Sequence, residues 1–276
     1  MTGSPARLFL GVAVAAILMS GCSPAVHVPA PPPVQASSTS QPGPVDSAAA
    51  MAGDASPTTG ATLAPPPTPT QVAEPQPFAF NLYEDGDFVP QYTFEWCVAA
   101  SIQMAHNLVR KGGDGTWAGQ AQQGELWEMA RVRSSNAFNG ANPMGWAAVL
   151  GEVGLGRYRV VSIPGYADAL RTAARAMANT GRPVGLVMWS GRHAWVMSGF
   201  ESVGDPLLHP EFQVTGIRVL DPLYPYGSGQ WGPSPAPGTL LNPEQLATQF
   251  VVREPRRWSS GLPTGYMLVV PEQAGS

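Results

Sequence analysis

The sequence predicts an α+β fold in which helices come first and an antiparallel sheet follows, and three observations predict it. Apolar residues recur at helical spacing between Phe94 and about Val153. Beyond that point, short runs rich in Val, Leu, Ile and Trp replace them. Two of these runs, Val184 to Trp189 and Ala194 to Phe200, are joined by Ser190-Gly191-Arg192 ahead of His193, the pattern of a hairpin and hence of antiparallel pairing. Helices and strands segregated in this order define the α+β class.

Not all of the 276 residues can join that fold. From Ser23 to about Pro77 there is no aromatic residue and no Lys or Arg, and about half of the 30 prolines lie there. Such a stretch cannot bury enough apolar surface to offset the entropy of ordering it, which predicts a disordered linker over residues 22–77 with polyproline character. The remainder, residues 78–276, is expected to form one domain of roughly 200 residues, large enough to bury a core without disulfides.

Residues 1–21 carry one basic residue, Arg7, and an apolar run from Leu8 to Met19, shorter than the about 20 residues that a membrane span needs. This is the pattern of a signal peptide. The segment Leu18-Met19-Ser20-Gly21-Cys22 resembles the bacterial lipobox. That resemblance implies an acylated Cys22 as mature N-terminus and an exported domain anchored to the cell membrane. An ordinary cleaved signal and an uncleaved anchor are the alternatives. A linker of this length would give the tether about 40 Å of root-mean-square reach.

The elements of the domain follow in order. A helix is expected from Phe94 to Val109, with Thr93 as cap, Glu95 in its first turn, and Arg110-Lys111 before Gly112-Gly113 as its end. A second should cover about Gln120 to Arg131. A third, capped by Asn142 with Pro143 in its first position, should run to about Val153. Tyr158 to Ile163 alternates as a strand does, and Tyr166 to Asn179 reads as a helix closed at Gly181. After the hairpin, a strand over about Phe212 to Leu220 stops at Asp221-Pro222. The Gly-, Pro- and aromatic-rich stretch from Leu223 to Leu241 reads as a long loop near a groove. A short helix from Pro243, capped by Asn242, and a strand from Tyr266 to Val270 complete the pattern.

Composition excludes several functions. The formal net charge is −4 and the basic residues are scattered, so no surface for nucleic acid is expected. The sequence has neither the Cys and His spacing of a metal site nor a Gly-rich phosphate loop, so no cofactor or metal is expected.

The two cysteines point elsewhere. If Cys22 carries lipid, Cys97 is the only free thiol of a protein in an oxidising compartment, with no partner for an internal disulfide. A free cysteine can be an inert core residue. A catalytic one needs a helix N-terminus and a nearby imidazole to favour its thiolate. Cys97 lies in the first turns of the first helix, and there are four histidines to consider. His27 is in the linker. His106 is nine residues along the same helix, about two and a half turns and therefore on its opposite face. His209 stands in a loop between Pro206 and Pro210. His193 remains. It opens one strand while Asp221 follows the end of the next, so antiparallel pairing would set the two side by side. Gln91, just before the helix, could donate an amide N–H beside the Cys97 backbone N–H to form an oxyanion hole.

At Gln91, Trp96-Cys97-Val98-Ala99-Ala100-Ser101, Gly191-Arg192-His193-Ala194-Trp195-Val196 and Val219-Leu220-Asp221-Pro222, the sequence resembles the papain-like cysteine peptidases, in particular the C39-like peptidase group. The resemblance covers about residues 88–270, with Val98 where the family often has Gly. It implies Cys97 as nucleophile, His193 as base, Asp221 orienting the base and Gln91 in the oxyanion hole. It further implies a nucleophile helix packed on an antiparallel sheet, and a peptide or protein substrate. Acyl transfer in the manner of transglutaminase-like proteins, a cell-wall amidase and a non-catalytic binding module stay open as alternatives.

Overall fold

The computed structural model describes residues 74–111, 115–134, 140–255, 259 and 261–273. All belong to one unit of the chain, Pro67–Ser276. The expected signal peptide, Cys22, His27, nearly all of the expected linker and the Gly112-Gly113 helix stop lie outside the described residues.

The fold is α+β, built on an antiparallel sheet. Its strands are β1 (Pro77–Asn81), β2 (Tyr158–Ile163), β3 (Val184–Met188), β4 (His193–Val203), β5 (Gln213–Leu220), β8 (Thr239–Leu241) and β9 (Tyr266–Pro271), with β6 (Gly227–Ser228) and β7 (Gly232–Pro233) forming a separate small hairpin. Six strands lie in the order β2-β9-β3-β4-β5-β8 and every pairing is antiparallel. The start of β4 pairs with β3 and its far half pairs with β1.

Helices cover both faces. On one lie α1 (Cys97–Val109), α2 (Gln120–Val132) and α3 (Pro143–Leu150), which enclose a core with Val187, Ala194, Val196, Leu220 and Val269. On the other lie α4 (Tyr166–Thr180) and α5 (Pro243–Ala247), against Leu186, Met188, Trp195, Met197 and Val219. The strict side-to-side alternation of a strand thus feeds two cores. This is why β3 reads as an unbroken apolar run, since all five of its residues are buried.

Four expectations need correction. α1 starts at Cys97, not Phe94, and Thr93 is not its cap; Trp96 holds that position with no side-chain cap bond. Residues before it form a turn, in which Trp96 N donates to Thr93 O (3.2 Å). Glu95 therefore falls outside the first turn. α3 ends at Leu150 rather than Val153, because the chain widens over Gly151–Leu155 and adopts a left-handed φ of 79° at Gly154. Its start is as expected, with Asn142 Oδ1 accepting from Met144 N (2.9 Å) and Gly145 N (3.2 Å).

β1 is an addition. Its Pro start at the edge of a Pro-rich stretch conceals a strand, yet Phe78 and Phe80 both stack on Phe200 of β4. Gly199 makes the approach possible, since a Cβ there would lie 2.5 Å from Phe80 O. Finally, the stretch from Leu223 to Leu241 is not wholly loop. It contains the β6–β7 hairpin and β8, which adds an edge to β5 through Ile217↔Leu241 and Val219↔Thr239. That pairing is non-local, so the sequence pattern does not announce it.

Candidate active site

Cys97 is free, partly exposed and the first residue of α1. The first four amides of a helix have no acceptor within it, so they carry positive potential at the position of the sulfur. The next residues, Val98, Ala99 and Ile102, are buried in the core shared with Ala194 of β4 and Leu220 of β5. Packing of those residues fixes the start of α1 close to the start of β4 and the end of β5.

His193 begins β4, and Asp221 follows the last residue of β5. The pairing Val196↔Leu220 brings the two together. His193 Nε2 lies 2.6 Å from Asp221 Oδ1, with His193 6% and Asp221 0% exposed. Leu223 N donates to the same carboxylate oxygen (2.9 Å), which fixes the side chain from its own turn. The Cys97 sulfur lies close enough to the imidazole to favour its charged form as well. With Nε2 engaged by Asp221, the nitrogen left for the sulfur is Nδ1.

These contacts raise the imidazole pKa from 6.5 to about 9. Burial, the largest single influence, acts to lower it; the hydrogen bond to Asp221, the nearby Cys97 sulfur and the charges of both outweigh burial. A buried carboxylate without a cation would be costly. The imidazolium is the cation in reach, so at neutral pH the ring stands protonated between carboxylate and sulfur.

Gln91 lies in the segment before α1, and that segment is tied down on both sides. Gln91 N donates to Pro222 O (2.8 Å), which joins it to the turn after Asp221. Tyr92 N donates to Gln123 Oε1 (2.8 Å), and Gln123 Nε2 donates to Pro90 O (3.1 Å) and Gln103 Oε1 (2.7 Å). Gln103 and Gln123 are fully buried. The Gln91 side chain does not reach freely over the helix start. Its Nε2 donates to Thr93 O (3.0 Å) and Phe94 O (3.1 Å), so both amide hydrogens are engaged in the turn that precedes Cys97.

The other described histidines sit in different surroundings. His106 is buried in α1 and stacks on Trp117 at 3.7 Å, while His209 is partly exposed in its loop. Among the described residues no group of three or more His, Cys, Asp and Glu side chains could hold a metal ion.

Sequence reasoning missed Trp189 and Gln249. The Trp189 indole stacks on the His193 ring with centroids 4.1 Å apart and planes at 22°. Its backbone is left-handed, φ 55°, as is that of Ser190, so the β3–β4 turn is strained just before His193. Gln249 holds it: Trp189 N donates to Gln249 O (3.0 Å) and the indole Nε1 donates to Gln249 Oε1 (2.9 Å). The only signal for Trp189 was its place beside the Ser-Gly turn. Gln249 gave none, being 60 residues away in sequence. Comparisons with protein-family models, with curated proteins and with solved structures find no match to this chain.

Proposed function

We propose that this chain is an exported, lipid-anchored cysteine peptidase of papain-like, C39-like design that hydrolyses peptide or isopeptide bonds through an acyl-enzyme on Cys97. The observation that supports it most is the linear chain of groups Cys97, His193 and Asp221, with the sulfur at a helix start and the carboxylate fully buried. That is the geometry of an activated nucleophile, in which a base lies within reach of the sulfur and a third group orients the base.

In this reading the Cys97 sulfur attacks the substrate carbonyl carbon while positive charge on His193 and the helix amides faces it. The negative charge that develops on the carbonyl oxygen is met by the Cys97 backbone N–H and by a Gln91 N–H exchanged from Thr93 O or Phe94 O. His193 gives its proton to the departing amine, leaving a thioester. Water, deprotonated by the now neutral imidazole, attacks the thioester; the carboxylic acid is released and the Cys97 thiolate and the His193 imidazolium are regenerated. Asp221 holds the ring in one orientation throughout and stabilises its charged form.

The test is a peptide-library digestion by the purified chain, with Cys97→Ala as control and an excess of a primary amine in a parallel reaction. Free acid products that require Cys97 support hydrolysis. Amide products in the amine reaction would replace it with acyl transfer, and no Cys97-dependent product in either reaction would overturn the reading.

A further inference from the structure

The contact between Trp189 and His193 is maintained from outside the catalytic strands. A bulky side chain at φ 55° is strained, and a stacked indole would be lost if the turn relaxed. Nothing local compensates. Gly191 N and Arg192 N both donate to Met188 O (2.9 and 3.0 Å), which closes the turn without fixing Trp189. What fixes it is Gln249, just beyond α5, through two bonds to the same residue, one to its main chain and one to its indole.

Gln249 is itself over-determined. Its backbone N donates to Leu246 O (3.0 Å) at the end of α5, and its Nε2 donates to Pro233 O (3.2 Å) of β7. It is 8% exposed and its neighbour Phe250 is fully buried. α5 in turn is pinned at its start by the reciprocal cap between Asn242 and Gln245. A rigid, buried amide thus spans three segments: the β3–β4 turn, the β6–β7 hairpin and the end of α5.

We infer that Gln249 is a positioning residue, which holds Trp189 against His193 so that the indole keeps water from the His193–Asp221 hydrogen bond and the imidazole in one orientation. The inference rests on the reading of His193 as the base. Two observations meet in it: the stack on the ring, with both side chains below a tenth exposed, and the paired hydrogen bonds that oppose the strain at Trp189. Gln249 touches neither sulfur nor substrate position and acts only through Trp189.

The experiment follows the exchange of the His193 Nε2 proton with water, read from its low-field proton resonance in the full chain. Three variants are compared with wild type: Gln249→Met, Trp189→Phe and the double variant. Trp189→Phe keeps an aromatic face but removes the indole donor. The expected result is exchange about tenfold faster in Gln249→Met, the factor that corresponds to the net contribution of one hydrogen bond. Trp189→Phe should show a similar change, and the double variant little more than either, since both remove the same bond. Unchanged exchange in a folded Gln249→Met, or additive effects in the double variant, would overturn the inference. A general loss of fold is separated by the Trp117 and Trp146 environments, remote from Gln249 and seen in the same spectra. Because proton exchange is measured without substrate, failure of the peptidase reading would leave this result standing and be recognised as a different failure.

Discussion

His193 is buried between a carboxylate and a thiol, and its protonation follows from those two neighbours. Its pKa of about 9 lies above the ordinary 6.5, so its contribution to stability is complete below pH 6.5 and is lost as the pH rises through about 9. Urea unfolding midpoints of the wild type should therefore decline across that window, and those of His193→Gln should not. The Cys97 thiol is one of the groups that raise this value, so in Cys97→Ala the imidazole titration, followed by NMR, should move downward. An unmoved titration would mean that the sulfur does not act on the ring. Asp221 is expected to be graded rather than absolute. Asn can still accept from Nε2 and from Leu223 N, so Asp221→Asn should keep kcat/KM on a peptide within roughly tenfold, whereas Asp221→Ala should lose clearly more and His193→Ala nearly all. A folded Asp221→Ala with wild-type kcat/KM would remove Asp221 from the mechanism. This pair of residues was legible in the sequence because strand ends and antiparallel pairing fix which residues meet. The stack of Trp189 on the ring was not, since it depends on a left-handed turn and on Gln249.

The segment before α1 shows how buried polar groups of one element place a residue of another. Gln123 of α2 satisfies Pro90 O and Tyr92 N on either side of Gln91. Gln123→Leu would free Pro90 O and Tyr92 N, both on exposed residues, and leave the buried Gln103 Oε1 without its donor, at a cost of about 1–3 kcal/mol in thermal unfolding. It should also lower turnover, because the segment around Gln91 then keeps its bond to Pro222 O but loses both to Gln123. Gln91→Ala removes the donor and its grip on the Thr93–Phe94 turn at once. The expectation is a loss on the order of 10² to 10³ in kcat with Cys97 alkylation nearly unchanged, as an oxyanion donor acts on the intermediate. Parallel falls in both rates would show Gln91 to be a support of the turn only. α2 and α3 meet through another constraint, as a Cβ at Gly145 would come 2.0 Å from Ala130 O. That carbonyl is main chain and cannot swing aside, so Gly145→Ala should destabilise by about 1–3 kcal/mol in the same assay. The helices themselves were readable from apolar spacing and from Asn142-Pro143. The true start of α1 was not, because a side-chain amide, not a local cap, organises the turn in front of it.

The chain enters the sheet at the opposite end from the candidate site. Pro77 pairs with Val203 while His193 begins the same 11-residue strand, so about 33 Å of strand separates the end of the proposed tether from the base. In the lipoprotein reading the site thus stands away from the point of attachment. Fatty-acid labelling should mark the wild type and not Cys22→Ala, and the variant released from the membrane should keep its kcat/KM; equal labelling of both would remove the lipid anchor. The sequence by itself determined the α+β class, the order of the main elements and the candidate groups Cys97, His193, Asp221 and Gln91. Those depend on local periodicity, on chain order and on the chemistry of residue types, all of which are written along the chain. Only the tertiary structure decided that β1 and β8 extend the sheet, that both sheet faces are covered, that the Gln91 amide is engaged by the turn, and that Trp189 lies on His193. Each of these turns on a contact between residues far apart in sequence, where packing and hydrogen-bond satisfaction select one partner among many that local pattern leaves equal.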